Sequence, residues 1–310
     1  MLSYNILQNK PKLLRAFTGL DEGEFLELLI VYNKAWQADE QRRAKKGKNR
    51  QRKAGGGRKL GLGPMADRLL FILMYLKLYP IQELQAFLFG LSQSQSNRLI
   101  QRTAAVLQAA LGQMGYLPER DGQQLAQVLA ECETLTFTQD GSERRRQRPI
   151  TGQKAYYSGK KKCHTVENHL VIHPDNQRVW FLSKTAPGSK HDKKLADEAK
   201  LTFPNRAIVE QDTGFQGYEQ DNIIIVQPQK KPRGQDLSSA DLFLNKAISA
   251  GRVIVENVIA GVKRCRIVKD ILRNWKTDFD DLVMELACGL HNLRVSFRHP
   301  VETINLFDLI

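Results

Sequence analysis

Apolar residues recur at helical spacing in the first part of the chain. Residues 18–40 carry large apolar side chains about one helical turn apart, which predicts an amphipathic helix: Leu20, Phe25, Leu28, Leu29, Tyr32 and Trp36. Residues 42–59 then contain ten Lys or Arg and no acid. Such a block cannot bury itself, so a flexible arm that contacts phosphates is expected, with a solubilising loop as the alternative.

A helix-turn-helix is predicted over residues 64–105. A strongly helical stretch ends at Pro80, a second short helix ends at Gly90, and a third begins at Ser92 or Ser94, since serine is a favoured N-cap. The third helix opens with polar side chains that can reach base edges or phosphates: Gln93, Gln95, Asn97 and Arg98. A plain three-helix bundle is the alternative.

From residue 133 the pattern changes to short β-like runs that alternate with helices. Strands are predicted at 134–139, 160–173, 178–184, 207–211 and 222–226. Helices are predicted at 191–200, 237–264 and 278–295. This order predicts the α/β class. It is the element order of a ribonuclease-H-like sheet: three meander-like strands, a helix, two further strands and a helix.

Three acidic residues occupy settings that suit metal-binding carboxylates. Asp140 and Asp212 each end a predicted strand, and Glu256 lies on the predicted helix 237–264. Two metal ions that promote phosphoryl transfer need oxygen ligands from separate rigid elements. At about 100° per residue, Arg252, Glu256 and Lys263 lie within about 40° of one another, away from the apolar face. A solvated helix face with an i,i+4 ion pair is the alternative for these three residues.

Three motifs carry a resemblance to a known family. They are Asp140-Gly-Ser-Glu143, Asp212-x-Gly-Phe-Gln-Gly217 and Arg252-x₃-Glu256-x₆-Lys263. In this order they resemble the DDE transposases of bacterial insertion sequences, and among these the group related to Harbinger-type endonucleases. The resemblance spans residues 60–300. Ser249 stands where the family pattern has a tyrosine three residues before the arginine.

The pattern of apolar and basic residues predicts an N-terminal helix and basic arm at 1–59. The resemblance implies an all-α helix-turn-helix domain at 60–112 and a ribonuclease-H-like catalytic core at 133–300. It implies two Mg²⁺ ions, replaceable by Mn²⁺, held by Asp140, Asp212 and Glu256 as the catalytic residues. The expected activity is cutting and joining of DNA at transposon ends, by a homodimer assembled on double-stranded DNA. Lys263 is expected to contact DNA phosphate, and Arg252 either to orient Glu256 or to hold a phosphate of the DNA.

Charge points to the same kind of partner. The net charge is +14 and the isoelectric point is about 9.6, which favours a polyanion. Arg144, Arg145 and Arg146 are expected in a basic loop that contacts phosphate. A membrane surface also attracts such charge, but no apolar run approaches the roughly 20 residues that span a bilayer, and no signal peptide is predicted. Four scattered cysteines fit a reducing cytoplasm, where the chain is expected to act at the nucleoid.

Several polar residues have competing interpretations. Asp192, after His191, either caps a helix or joins the site. Glu143 is expected to hold an arginine of its own loop, with a fourth acid near the metals as the alternative. His291 is expected to pack, and His164, His169 and His173 are not expected to bind zinc, because strand alternation separates them. Two other classes of function stay open: a nuclease that cuts without joining, and a DNA-binding regulator descended from a transposase.

Overall fold

Helices form the N-terminal part of the chain. The computed structural model describes residues 1–46, 61–231, 234 and 236–298. The first three helices are α1 Tyr4–Leu7, α2 Pro11–Thr18 and α3 Glu22–Lys46. Asp21 and Glu24 bond reciprocally to each other's backbone N–H, which fixes the start of α3. The predicted helix at 18–40 is confirmed but begins later and continues into the basic block, of which residues 47–59 lie outside the described residues.

The helix-turn-helix elements lie where the pattern predicts them: α4 Met65–Leu78, α5 Gln82–Phe89 and α6 Gln93–Gln113. Gly90 ends α5 with a φ of 66°, a left-handed conformation that glycine adopts without strain. Ser92 caps α6, and its hydroxyl accepts from the backbone N–H of Gln95. Gly90 therefore ends α5 and Ser92 starts α6, so local residues fix the position of the turn between these two helices.

The remaining elements form a mixed sheet with helices on both sides. The strands are β1 Thr136–Arg145, β2 Tyr157–Ser158, β3 Cys163–Ile172, β4 Val179–Leu182, β5 Ala186–Pro187, β6 Ile208–Glu210 and β7 Ile224–Val226. The helices are α7 Leu125–Leu129, α8 Gln153–Tyr156, α9 Asp192–Ala199, α10 Ser239–Val262, α11 Arg266–Lys269 and α12 Phe279–Arg298, with a 3₁₀ turn at Thr213–Phe215.

The strand order is that of a ribonuclease-H-like sheet. β3 pairs antiparallel with both β1 and β4, while β6 pairs parallel with both β1 and β7. The path across the sheet is therefore β4-β3-β1-β6-β7, with β2 and β5 also paired to β3. The predicted α/β class and its ribonuclease-H-like sheet are confirmed.

β1 is longer than the sequence pattern predicts. Its ladder with β3 continues from Thr138 to Arg145, so the strand does not end at residue 139. Asp140 therefore lies within the strand, and Arg144 and Arg145 belong to the ladder and not to a loop. The second half of β1 is too polar to be predicted as a strand from its own residues. It is a strand because the ten-residue β3 provides its hydrogen-bond partners.

Strand alternation divides the core between the two faces of the sheet. Leu170, Ile172 and Leu182 join a large core that also contains the N-terminal helices, α4, α6 and α12. Val171 and Phe181 face the other side, where a second core forms around Phe137 and Val209. The helix-turn-helix and one face of the sheet thus share a single core. No described helix has the length and apolar character needed to cross a membrane.

Candidate active site

Asp140 lies within β1, and Asp212 lies at the same level of the sheet, two residues beyond the end of the neighbouring parallel strand β6. β1 and β6 are in register at Thr138 and Glu210, and each aspartate follows its partner by two residues. Adjacent strands are about 4.8 Å apart, so this register brings the two carboxylates close together. Arg252 confirms their proximity, since its Nη2 lies 3.8 Å from Oδ1 of Asp140 and 3.8 Å from Oδ2 of Asp212.

Backbone N–H groups fix one oxygen of each aspartate. Oδ1 of Asp140 accepts from the N–H of Gly141 at 2.8 Å. Asp212 is the N-cap of the 3₁₀ turn, and its Oδ1 accepts from the N–H of Gly214 at 2.7 Å. The backbone carbonyl of Asp212 also accepts from Nε2 of Gln227 at 2.6 Å. The carboxylates are thereby oriented by short-range contacts of their own motifs.

A third carboxylate, that of Asp192, lies between the two motifs. Asp192 is the first residue of α9, and His191 occupies the N-cap without a side-chain capping bond. A Cβ on Gly141 would collide with Oδ1 of Asp192, and one on Gly214 would collide with Oδ2. Oδ1 is buried and has no hydrogen-bond partner. The side chain therefore faces Asp140 and Asp212, and the interpretation of Asp192 as a simple cap is wrong.

Several carboxylates lie close together in this region, with Arg252 between two of them. Burial raises the pKa of Asp140 to about 6, against the attraction of Arg252, and the charges of Asp212 and Asp192 raise it further. Burial and the charge of Asp192 also raise the pKa of Glu167 to about 9. An excess of acids over bases at one place favours the binding of a cation.

α10 presents the predicted polar stripe. Its buried face contains Val255, Val258 and Val262, as the helical arithmetic predicts. Glu256 lies one turn after Arg252 on the same helix and is exposed. Lys263 is half-buried, and the carboxylates of Asp140 and Glu143 are among the charges that act on it. Arg252 and Lys263, which flank Glu256 along the helix, thus both lie near the first aspartate.

Three of the predicted DNA-binding residues lie on or just after β1. Arg144 faces inward, where its Nη2 donates to Oδ1 of Asn168 at 2.7 Å and to the carbonyl of Asp280. Its side chain is buried, so the expectation that Arg144 contacts phosphate is corrected. Arg145 is exposed. Arg146 is mostly buried, forms a 3.5 Å ion pair with Asp280 and stacks on aromatic rings.

Two further polar residues have partners that the sequence does not predict. Glu143 accepts from the hydroxyl of Thr165 at 2.7 Å, so the expected partner, an arginine of its own loop, is wrong. His291 is buried, as expected, and its Nε2 lies 2.9 Å from the carbonyl of Gln177. Neither partner is close in sequence, so only the folded sheet reveals these contacts.

The polar residues at the start of α6 are tied to the preceding helix. Nε2 of Gln93 and Nδ2 of Asn97 both donate to Oε1 of Gln82, at 2.9 and 3.1 Å. Oε1 of Gln95 accepts from the backbone N–H of Ser92, which completes the capping box. Arg98 is exposed. Gln93, Gln95 and Asn97 therefore each have a hydrogen-bond partner within the protein.

The donors of the site fit a hard divalent cation. In the described ranges, no group of three or more His, Cys, Asp or Glu is already arranged as a metal site. The carboxylates of Asp140 and Asp212 nevertheless share one level of the sheet, and the oxygen of Asp192 beside them lacks a hydrogen-bond partner. Carboxylate oxygens are the preferred ligands of Mg²⁺ and Mn²⁺. A bound cation would take the place of Arg252 as their counter-charge.

Comparisons with known proteins identify the class to which this fold and site belong. Residues 139–292 match the family model described as "DDE superfamily endonuclease". Residues 61–113 match the model described as "Helix-turn-helix of DDE superfamily endonuclease". The two matches cover most of the chain, and the chain belongs to the DDE endonuclease superfamily. The resemblance drawn from the three motifs is thereby confirmed.

Two curated relatives carry provisional names as transposases. The first, for insertion sequence element IS702 of Microchaete diplosiphon, is 26% identical over 75% of this chain and 81% of its own length. The second, for insertion sequence element IS112 of Streptomyces albus G, is 26% identical over 94% of this chain and 98% of its own length. No solved structure matches the chain at a significant level.

Proposed function

We propose that this chain is a DNA transposase that uses Asp140, Asp212 and Glu256 to hold the metal ions of a phosphodiester-cleaving site. The observation that carries the proposal is that Asp140 on β1 and Asp212, just beyond the end of β6, lie at one level of the sheet, each 3.8 Å from Arg252. Glu256 follows Arg252 by one turn of α10, and its side chain is exposed, with no contact to either aspartate among the described residues. Family membership and the provisional names of the two relatives support the proposal.

Each proposed residue has a role that follows from its position. Asp140 and Asp212 hold the cations from the sheet, and Glu256 holds them from the helix. When bound, two Mg²⁺ or Mn²⁺ ions lower the pKa of the attacking water or 3′-hydroxyl and stabilise the leaving oxygen. Arg252 pairs with both aspartates without metal, and with metal it is free to orient Glu256 or to hold a phosphate. Lys263 contacts phosphate further along the same helix face.

Two parts of the chain contact DNA in different ways. The start of α6 reads the transposon end in the major groove, mainly through Asn97 and Arg98, while basic residues elsewhere contact phosphates irrespective of sequence. Cutting is followed by joining, and two copies assemble on double-stranded DNA in the cytoplasm, at the nucleoid. The helix-turn-helix match and the net charge of +14 support these assignments.

A cleavage assay tests the proposal. The full-length chain would be incubated with duplexes taken from the DNA that flanks its coding sequence, with Mg²⁺, with Mn²⁺ or with a chelator. Strand cuts that require the metal, followed by products joined to a second duplex, are expected. Cuts without joined products would show an endonuclease. Specific binding without any cut would show a regulator, and the proposal would be abandoned.

A further inference from the structure

A groove runs between the helix-turn-helix and the catalytic sheet. Ile81 and Leu84, at the start of α5, form one wall. Arg145, at the end of β1, and Arg266 and Lys269, on α11, form the other wall, together with Arg273. The groove therefore joins the module proposed to read DNA to the strand that carries Asp140.

Positive charge dominates this groove. Arg145 and Lys269 are exposed, and neither has an ion-pair partner among the described residues. Arg266 pairs with Asp270 at 3.0 Å, but more than half of its side chain is exposed. One acid therefore faces four cations, an excess that attracts a polyanion.

Arg273 provides a fixed cation at the base of the groove. Its Nη2 donates to the carbonyls of Tyr79 and Pro80, at 2.5 and 3.3 Å. Its guanidinium carbon lies 4.1 Å from the centre of the Tyr79 ring. These contacts hold the charge in place between the α4–α5 turn and the segment after α11, so little ordering is required when an anion binds.

The apolar wall suits the sugars of a nucleic-acid backbone. Ile81 and Leu84 are about half exposed, at 53% and 47%, and Ile271 is exposed to a similar degree. Exposed apolar side chains that alternate with cations give contacts for deoxyribose as well as for phosphate. A small anion such as free phosphate would use only the cations.

The length of β1 sets a lower limit on the distance between the groove and Asp140. Arg145 follows Asp140 by five residues on the same strand, which corresponds to about 16 Å at the rise of a β-strand. Because five is an odd number and the ladder is unbroken, the two side chains project from opposite faces of β1, so the DNA must pass the end of the strand to reach both. At an axial rise of about 3.4 Å per nucleotide of each strand, phosphates in the groove would lie about five or more nucleotides from the bond at Asp140.

We propose that this groove binds the phosphate backbone of a DNA duplex, between the bases read by α6 and the bond cleaved at Asp140. The inference rests on the proposed function, because it takes Asp140 as the point of cleavage. It adds Arg266, Lys269 and Arg273 to the contacts expected from the sequence and assigns Arg145 a defined position along the DNA.

The dependence of binding on salt tests this groove. The double variant Arg145→Gln/Lys269→Gln removes two exposed charges and no ion pair. Binding of the full-length protein to a random-sequence duplex would be titrated at several salt concentrations. Each phosphate that is no longer neutralised lowers the slope of log K against log salt by about 0.9, so a decrease of about two units is expected. Circular dichroism melting would show that the variant remains folded.

A matched control lies at the other end of the sheet. Lys200 and Arg206 are exposed and precede β6, so Lys200→Gln/Arg206→Gln removes the same charge far from the groove. This control should keep most of the wild-type slope. Equal decreases in both double variants would indicate a general effect of net charge and would overturn the proposal.

Position along the DNA gives a second readout. Neutral methylphosphonates would be placed one at a time, starting about five nucleotides from the cleaved bond and moving away from it. At one or more of these positions the substitution should weaken binding of the wild type but not of Arg145→Gln/Lys269→Gln. The proposed groove contact would be refuted if the groove variant kept the wild-type slope of log K against log salt. It would also be refuted if the wild type bound no duplex. A wild type that binds with the expected slope yet never cleaves would instead refute the proposed catalysis and leave the groove in place.

Discussion

Gly141 and Gly214 belong to different motifs but make room for the same side chain. Each glycine follows a proposed metal-binding aspartate, at one or two residues' distance, and each faces the carboxylate of Asp192. The glycines of Asp140-Gly and Asp212-x-Gly are therefore needed less for backbone freedom than for space. Neither φ lies in the left-handed region, so close approach of Asp192 is the physical reason for glycine at both positions.

Gly141→Ala should disturb the site through Asp192. The new methyl group meets a buried carboxylate, so Asp192 or β1 must shift, at a cost of about 1–3 kcal/mol of stability. A displacement near 1 Å at a catalytic group lowers the rate by about a hundredfold. Chemical denaturation and a cleavage assay would measure both effects. Gly159→Ala is the control, since nothing lies near its added Cβ, and unchanged cleavage in Gly141→Ala would refute the close approach.

Single residues also mark the limit of what the sequence predicts. The proximity of Asp140, Asp212 and Arg252 agrees with motifs that are local in the sequence, whereas the role of Glu256 stays a prediction. The residues that contact Arg144, Glu143 and Asp192 come from distant parts of the chain, so the spacing of residues along the sequence cannot predict these contacts. Arg144 in particular sits in a run of arginines that looks like a solvated loop, although Asn168 and the carbonyl of Asp280 hold it inside.

Among the elements, α4, α5 and α6 can be predicted accurately because local signals set their ends. Pro80, Gly90 and the Ser92 cap act within one turn of the chain. β1 cannot be predicted beyond residue 139, because its second half is held by pairing with β3 and not by its own composition. A strand that is stabilised mainly by pairing with a distant strand cannot be predicted from its own sequence pattern.

The start of α6 should determine preference among DNA sequences. Asn97→Ala/Arg98→Ala should lower affinity for the transposon end by about 1–3 kcal/mol for each base that is no longer read, and leave random duplexes unaffected. Ser92→Ala removes the cap without removing these side chains, and should cost about 1 kcal/mol of stability only. Titration on both duplexes makes the comparison. Equal decreases in affinity for end and random DNA would contradict base reading by α6.

α12 should make the stability of the protein depend on pH. Burial lowers the pKa of His291 to about 3, from an ordinary value of 6.5, and the charge of Arg294 lowers it further. Between these two pH values the unfolded chain binds a proton that the folded chain does not, so stability falls as pH decreases.

His291→Gln removes this proton uptake. From pH 7 to pH 5, the free energy of unfolding should fall by about 2 kcal/mol less in His291→Gln than in the wild type. Urea denaturation at several pH values measures the difference between the two proteins. Parallel curves for wild type and variant would show that the buried histidine is protonated in the folded state.

On the scale of the whole molecule, the helix-turn-helix and the catalytic sheet are joined by packing. α6 and α12 belong to the same core as one face of the sheet, and Gln108 on α6 donates to Glu285 on α12 at 2.6 Å. A duplex held by α6 therefore has a defined direction relative to Asp140. The sequence predicts the order of the parts but not this shared core, since its contacts join residues far apart in the chain.

The central claim is that three carboxylates act by holding metal and not by holding DNA. Neutral variants of equal size, Asp140→Asn, Asp212→Asn and Glu256→Gln, separate the two roles, because an amide is a poor ligand for Mg²⁺. The decisive measurement is Mg²⁺-dependent cleavage by each variant, alongside its affinity for the same duplex in a chelator. Loss of cleavage in all three variants with wild-type affinity is the predicted result. Wild-type cleavage by Asp212→Asn at ordinary Mg²⁺ would contradict the account.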